Sequence, residues 1–205
     1  MSEYALTRVR DRNRSRMARP RSDDKRKAIL DAAIELFAER GIAHVPTSAI
    51  SAAAGVAEGT LFTYFKSKDE LMNELYREIR REIDRQLEDY PAHADPQTRV
   101  RFVWDKLVDM SVAQPKRLKV QTQLRTSGRL LKDLEVPGRT VREMLETTQA
   151  AITGDEYKQA PPDFIVLLMR AHAEATVEYI LAHPEQESIS RDMGFKLIWR
   201  GLTGQ

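Results

Sequence analysis

Between Thr47 and Phe65 the chain reads TSAISAAAGVAEGTLFTYF, two short helical patterns hinged on a single glycine, and few folds accept that arrangement. In the first pattern, about Ser48 to Ala54, Ile50, Ala53 and Ala54 recur at the i, i+3, i+4 spacing of one helical face. Gly55 supplies the left-handed backbone that ends a helix without Cβ strain. Val56 then anchors the turn in the core, and a second helix runs from about Glu58 to Phe65. Leu61 and Phe65 face inward at i, i+4, which leaves Thr60, Thr63 and Tyr64 outward. Hydroxyls and a phenol on an exposed helix face suit a groove of DNA better than open solvent. The pattern predicts a helix-turn-helix.

The flanking sequence supports it. Asp23 or Asp24 caps a helix through Arg40, with Ile29, Ala32, Ala33, Leu36 and Phe37 on one face and Gly41 closing it. This helix clamps the reading pair into a three-helix core. Ser67 with Glu70 three places on forms a capping box. The helix that it opens carries Leu71, Leu75, Ile79, Ile83 and Leu87 at four-residue steps until Pro91 stops it after Tyr90. Such a helix is about 35 Å long. Glu78–Arg81 and Glu82–Arg85 on its flank read as a solvated face. PAHADPQ, residues 91–97, marks a boundary, after which helices are expected near Pro96–Ala113, Lys116–Thr126, Gly138–Thr153, Pro162–Ala182 and Ser188–Leu202. No repeat and no strand-like alternation appears.

Charge is unevenly placed. Residues 1–27 hold ten Lys/Arg against four Asp/Glu, whereas the whole chain of 205 residues has a formal net charge of only +2. A basic arm on a mildly acidic body is expected of a protein that touches DNA at one end. Arg14, Arg16, Arg19 and Arg21 are its residues nearest the reading helices, and residues 1–22, lacking a periodic apolar face, are expected to be disordered in the free protein. There is no cysteine, hence no disulfide framework or thiolate site. The longest apolar run, Phe164 to Met169, is far too short to span a bilayer. The first residues lack the apolar core of a secretory signal. A cytoplasmic protein with no cofactor is the expectation.

From Ile50 to Phe65, I-S-A-A-A-G-V-A-E-G-T-L-F-T-Y-F, and then K-S-K-D-E-L from Lys66 to Leu71, the chain resembles the TetR/AcrR family of bacterial transcriptional regulators. That family's signature runs through A-G-V-S-x-G-T-L-Y-x-Y/H-F to a Lys-x-x-Leu helix start. The resemblance covers about a quarter of the chain and rests on many matches at fixed spacing. It implies an all-α fold: a helix-turn-helix domain over residues 23–70 after the arm of residues 1–22, and a helical effector-binding and dimerisation domain over residues 71–205. It also implies a symmetric dimer on a palindromic operator, released when a small molecule shifts the helix after Ser67 and with it the spacing of the two reading heads.

The resemblance places Tyr64 and Lys68 on phosphates. Thr47 and Ser48 can reach phosphates by hydroxyl and backbone N–H. Glu58, Gly59 and Thr63 face base edges, Gly59 allowing close approach and Thr63 offering a methyl and a hydroxyl; Thr60 can serve either way. The chain departs from the family at two positions. Ala57 stands where a capping serine is common, a loss of about 1 kcal/mol unless Glu58 or Thr60 substitutes. Phe62 replaces the usual tyrosine, exchanging a phosphate hydrogen bond for contact with a thymine methyl. Glu58 beside phosphates is unfavourable unless it accepts from a cytosine amino group.

In the larger domain, Phe164 to Met169 is apolar around the whole helix and should be buried on all sides. Ala171, Ala173 and Ala175 allow close helix approach beyond it. Phe195, Leu197, Ile198, Trp199 and Leu202 give the last helix too many apolar faces for one protomer's core. In the resembled family the last two long helices form a four-helix dimer interface, which assigns Ala171, Ala175, Phe195, Ile198, Trp199 and Leu202 to dimerisation. Phe102, Trp104, Met110, Leu118, Met144 and Phe164 can line an apolar effector cavity, with Gln121, Arg125, Thr148 and His172 as polar interruptions. Met and aromatic residues at helical spacing are core first and pocket second.

Two other classes remain open. A helical module that binds DNA or protein without sequence choice would lose a given duplex to random competitor. A helical-bundle enzyme would need ligating residues, yet none of the four His has a Glu three places before it, and no zinc spacing, phosphate loop or nucleophile elbow appears. No metal is expected.

Overall fold

A computed structural model describes residues 19–135, 138–151 and 161–203. All regular structure among them is helical: α1 Arg19–Arg40, α2 Thr47–Ala53, α3 Glu58–Tyr64, α4 Lys68–Gln86, α5 Pro96–Ala113, α6 Pro115–Thr126, α7 Lys132–Glu135, α8 Arg139–Ala151, α9 Pro162–Ala182 and α10 Glu187–Thr203, with 3-10 turns at Ile42–His44 and Pro184–Gln186. The chain forms two compact units. One comprises the described residues up to Leu75 together with Lys119–Leu130, and the other comprises Tyr76–Leu118 with the described residues from Leu131 onward.

In the first unit the predicted stripe of α1 lies in the core, for Ile29, Ala32, Ala33, Leu36 and Phe37 are all buried, as are Ile50, Leu61, Phe65, Leu71 and Leu75. Gly41 ends α1 with φ 78°, its N–H donating to the Phe37 carbonyl at 2.9 Å. The helix begins earlier than expected. It already includes Arg19, so neither Asp23 nor Asp24 caps it, and residues 19–22, the end of the expected arm, are helical. Residues 1–18, with Arg14 and Arg16, lie outside the described residues.

α2 is too short for a three-residue apolar arc. Ile50 is fully buried, but Ser51 takes the second core position, Ala54 is half-buried and Ala53 faces solvent. The Ser51 hydroxyl donates to the Ser48 carbonyl at 3.0 Å, which lets a polar atom stand in the core. Ser67 caps α4 as expected, its Oγ accepting the Glu70 N–H at 3.1 Å. The Glu70 carboxylate reaches back to the Lys66 N–H at 2.7 Å.

α4 stops at Gln86 rather than Tyr90, so it is about 28 Å long rather than 35 Å. The Leu87 N–H is shared between the Ile83 and Asp84 carbonyls at 3.2 Å each, and Glu88 N–H bonds the Arg85 carbonyl. The chain has tightened to i→i−3 bonding before the proline.

In the second unit α5 packs on α8 and α9, and α10 on α9 and α5, around Val100, Val103, Trp104, Val108, Ile165, Val177, Ile180, Phe195, Trp199 and Leu202. Asp95 caps α5, accepting the Thr98 N–H at 3.0 Å and the Thr98 hydroxyl at 2.6 Å; these bonds hold its carboxyl below the usual carboxylate range. α9 is not buried on all sides. Ile165 is in the core, but Phe164, Leu167 and Leu168 are exposed, because α5, α8 and α10 cover only half of the helix.

Candidate nucleic-acid interface

The α2–α3 pair is locked from within. Ala54 N–H donates to the Ile50 carbonyl at 2.9 Å, and after Gly55 (φ 66°) the Val56 N–H returns to the Ser51 carbonyl at 3.0 Å. This closure leaves Val56 half-buried. Leu61 and Phe65 are fully buried, as their spacing predicted. The Arg26 guanidinium lies 5.8 Å from the Phe65 ring centre and pairs with Glu74 at 2.9 Å, so α1 and α4 both brace the end of α3.

The opposite face of α3 is open. Glu58, Gly59, Phe62 and Thr63 are exposed, and Thr60 and Tyr64 are half-buried. A Cβ added at Gly59 would meet nothing within 4 Å. Phe62 is 42% exposed, a large apolar ring with no core to fill. The Thr63 hydroxyl donates back to the Gly59 carbonyl at 2.9 Å. Its outward offering is therefore a methyl and oxygen lone pairs, narrower than the sequence implied. Ala57 makes no side-chain cap. Glu58 does not replace it either, since its carboxylate accepts the Thr47 hydroxyl at 3.1 Å, across the turn. Thr47 is half-buried and Ser48 exposed at the start of α2.

Lys68 turns inward. Its Nζ donates to the Ile42 carbonyl at 2.6 Å and sits 5.8 Å from the Phe37 ring centre. Burial, and then the charge of Arg129, lower its pKa. One of its three N–H donors is thus committed to the loop before α2. The N–H of Ile42 itself is also held, donating to the Gln123 Oε1 at 3.2 Å. Nearby, Asn73 donates to the Arg129 carbonyl at 3.3 Å and Arg129 pairs with Asp69 at 2.9 Å. Sequence reasoning missed this bracket, because a glutamine on a helix and an arginine in the loop after it carry no mark of where they fold back.

The residues assigned to an effector are scattered. Trp104 and Met144 are buried in the second unit's core, and Phe102 and Met110 are half-buried there. The His172 Nε2 lies 2.8 Å from the Gly194 carbonyl, and its ring centre is 5.7 Å from that of Trp104. Gln121 and Arg125 fall in the first unit. Phe164 is exposed, for the reason given for α9. Thr148's side chain lies outside the described residues. A groove of about 540 Å³ in the second unit is lined instead by Asp84, Arg85, Leu87, Glu88, Tyr90, Ala92, Arg139, Thr140 and Glu143, none of them an assigned residue.

Of the dimerisation set, Ala171 and Ala175 are exposed and Ile198 is half-buried. Phe195, Trp199 and Leu202 turn into their own protomer's core, where Phe195 and Trp199 stack at 6.2 Å. The outer apolar residues of α10 are Ile189, Met193 and Leu197. Among the described residues no group of three or more His, Cys, Asp or Glu is placed to hold a metal, and no helix is long and apolar enough to cross a membrane.

Residues 29–75, the locked three-helix segment with the start of α4, match the model of the bacterial regulatory proteins, tetR family. Over that segment the chain is similar to the TetR family. Two curated relatives are the fatty acid metabolism regulator protein of Bacillus subtilis, 46% identical over 44 residues (22% of this chain, 23% of that protein), and the transcriptional regulator AcrR of Shigella flexneri, 26% identical over 105 residues (50% and 49%). The matched stretches thus span half or less of these relatives. Solved structures extend the likeness to the second unit. A tetR-family protein from Shewanella sp. PV-4 superposes with a TM-score of 0.73 at 22% identity, over 86% of this chain and 97% of that one. FadR from Bacillus subtilis, in complex with stearoyl-CoA, gives 0.60 at 22% identity, over 85% and 98%. At those identities the structures establish the fold.

Proposed function

We propose that this chain is a cytoplasmic transcriptional regulator of the TetR family, a homodimeric repressor that binds a palindromic operator and is released by a small-molecule effector. The observation that carries this reading is the asymmetry of α3. One side is pinned by Leu61 and Phe65, and the other presents Glu58, Gly59, Phe62 and Thr63 to the outside. A rigid helix with an exposed glycine, a methyl and an aromatic ring fits a major groove, where close backbone approach and thymine methyls give direct readout. Tyr64, Thr47 and Ser48 flank it as phosphate contacts, with Lys68 set deeper. No catalytic residues are assigned.

The dimer is read from α9 and α10, whose outer faces are apolar. The effector is assigned to the second unit. FadR of Bacillus subtilis holds stearoyl-CoA within the same fold, and an apolar ligand here would face Phe102, Trp104, Met144 and His172. Both tryptophans, Trp104 and Trp199, lie in that core, so intrinsic fluorescence reports its occupation. α4 is one continuous helix whose residues to Leu75 belong to the first unit and whose later residues belong to the second. A ligand that prefers one conformation of the second unit can therefore bias the reading head along that helix.

Binding is tested by fluorescence anisotropy with duplexes that the protein selects from genomic DNA. A specific regulator keeps its selected duplex against excess random competitor, whereas a non-specific module releases it. Tyr64→Ala should weaken binding to all duplexes alike, because a phosphate contact carries no sequence information. Unchanged affinity at several salt concentrations removes Tyr64 from the phosphate set.

A further inference from the structure

Resting on that DNA-binding reading, the geometry points to Glu58 as a selectivity residue for cytosine, held in the free protein by Thr47 and exchanged when DNA binds. The two residues open the two helices of the reading pair, and the Thr47 hydroxyl spends its one proton on the Glu58 carboxylate at 3.1 Å. A hydroxyl so engaged shows an approaching phosphate only lone pairs, and the carboxylate beside it adds a like charge. Thr47 can donate to a phosphate only after releasing Glu58. The released carboxylate then stands at the first position of α3, between Ala57 and Gly59, which have no polar side chain to take over as its donor. Where the interface excludes water, a donor on the DNA has to satisfy it.

In the major groove the cytosine N4 amino group is such a donor, and cytosine itself shows no acceptor on that edge. Adenine sets its N7 lone pair beside its N6 amino group, and guanine and thymine present acceptors at the equivalent edge. Duplexes with any other base opposite Glu58 therefore lose the Thr47–phosphate bond, or keep it with an unpaired carboxylate facing acceptors. One hydrogen bond inside the protein thereby penalises random DNA and favours a cytosine.

Selection from a random duplex library tests this with the full chain, Glu58→Gln and Thr47→Val. Glutamine keeps an acceptor for Thr47 at an exposed position, so the fold is preserved, and it matches the adenine N6/N7 edge instead. The expected result is a half-site position restricted to cytosine by the parent. In Glu58→Gln that preference falls by about tenfold and moves toward adenine. Thr47→Val should weaken the cytosine duplex most, because that duplex gains the Thr47–phosphate bond without stranding Glu58, so the cytosine preference narrows. A parent that enriches an operator whose bases are unchanged in Glu58→Gln, or that has no cytosine restriction, overturns the role of Glu58 alone. A parent that enriches nothing overturns the DNA-binding reading and this inference with it.

Discussion

Gly59 and Gly194 are both inside helices, and their surroundings give substitutions of opposite sign. Around Gly59 an added Cβ meets nothing within 4 Å, so Gly59→Ala relieves the backbone-entropy cost of glycine and should raise stability by up to about 1 kcal/mol. The same methyl would stand between α3 and the groove, so duplex affinity should fall. A thermal melt and an anisotropy titration on one sample check both halves, and a variant that is more stable and binds as well as the parent removes Gly59 from the close-approach surface. At Gly194 the added Cβ would lie 2.7 Å from the Thr176 Oγ1 and 2.8 Å from the Trp104 Cζ2. Trp104 has little room to yield, since its indole N–H donates to the Arg191 carbonyl at 3.1 Å. Gly194→Ala should cost about 1–3 kcal/mol, measured by urea unfolding. The outward placement of Thr63 was legible in the sequence from its spacing to Leu61 and Phe65. That its proton is spent on the Gly59 carbonyl was not, because spacing fixes a direction and says nothing of which acceptor lies nearest.

At the scale of elements, α5 and α9 occupy the residues expected of them, because Asp95–Pro96 and Pro161–Pro162 punctuate their starts with chemistry that a single residue type can announce. The end of α4 and the start of α1 depend on gradual changes in hydrogen bonding, for which no residue stands as a marker. How elements are joined was equally hidden. The Arg101 guanidinium on α5 pairs with Asp192 on α10 at 2.8 Å, and Lys196 reaches the same carboxylate at 2.6 Å. Hydrogen bonds from Lys196 and then Arg101 hold the Asp192 pKa below its ordinary value of 3.8. A carboxylate depressed in the folded state contributes stability that is complete above its unfolded value and is lost as pH falls through the folded one. Asp192→Asn should therefore lower the melting temperature at neutral pH, and the gap from the parent should narrow as pH drops below the ordinary carboxylate range. A gap that does not change with pH would mean that Asp192 acts by packing.

For the whole molecule the decisive quantity is apolar surface left outside. On α9 the exposed residues Phe164, Leu167, Leu168, Ala171 and Ala175 follow one another at three- and four-residue steps, while Ile165, Val177 and Ile180 turn to the core. α10 divides the same way, with Ile189 70% and Leu197 58% exposed against buried Phe195, Trp199 and Leu202. The sequence was right that this helix has more apolar faces than one protomer can cover, but the residues that it nominated for the partner are mostly those that face home. A two-fold pairing of the outer faces would bury them, and in the proposed dimer it would set two reading heads on one operator. Two variants separate the faces. Leu197→Glu should leave the circular dichroism spectrum and melting of the protomer nearly unchanged, yet give a monomer in analytical ultracentrifugation. Phe195→Ala should instead cost about 3–5 kcal/mol of protomer stability. Since the second head adds avidity of about 10²–10⁴ without new contacts, the Leu197→Glu monomer should bind a full operator hardly better than a half-site. A Leu197→Glu protein that sediments as a dimer would place the two-fold contact elsewhere, and one that is monomeric with full operator affinity would show that a single head is the reading unit.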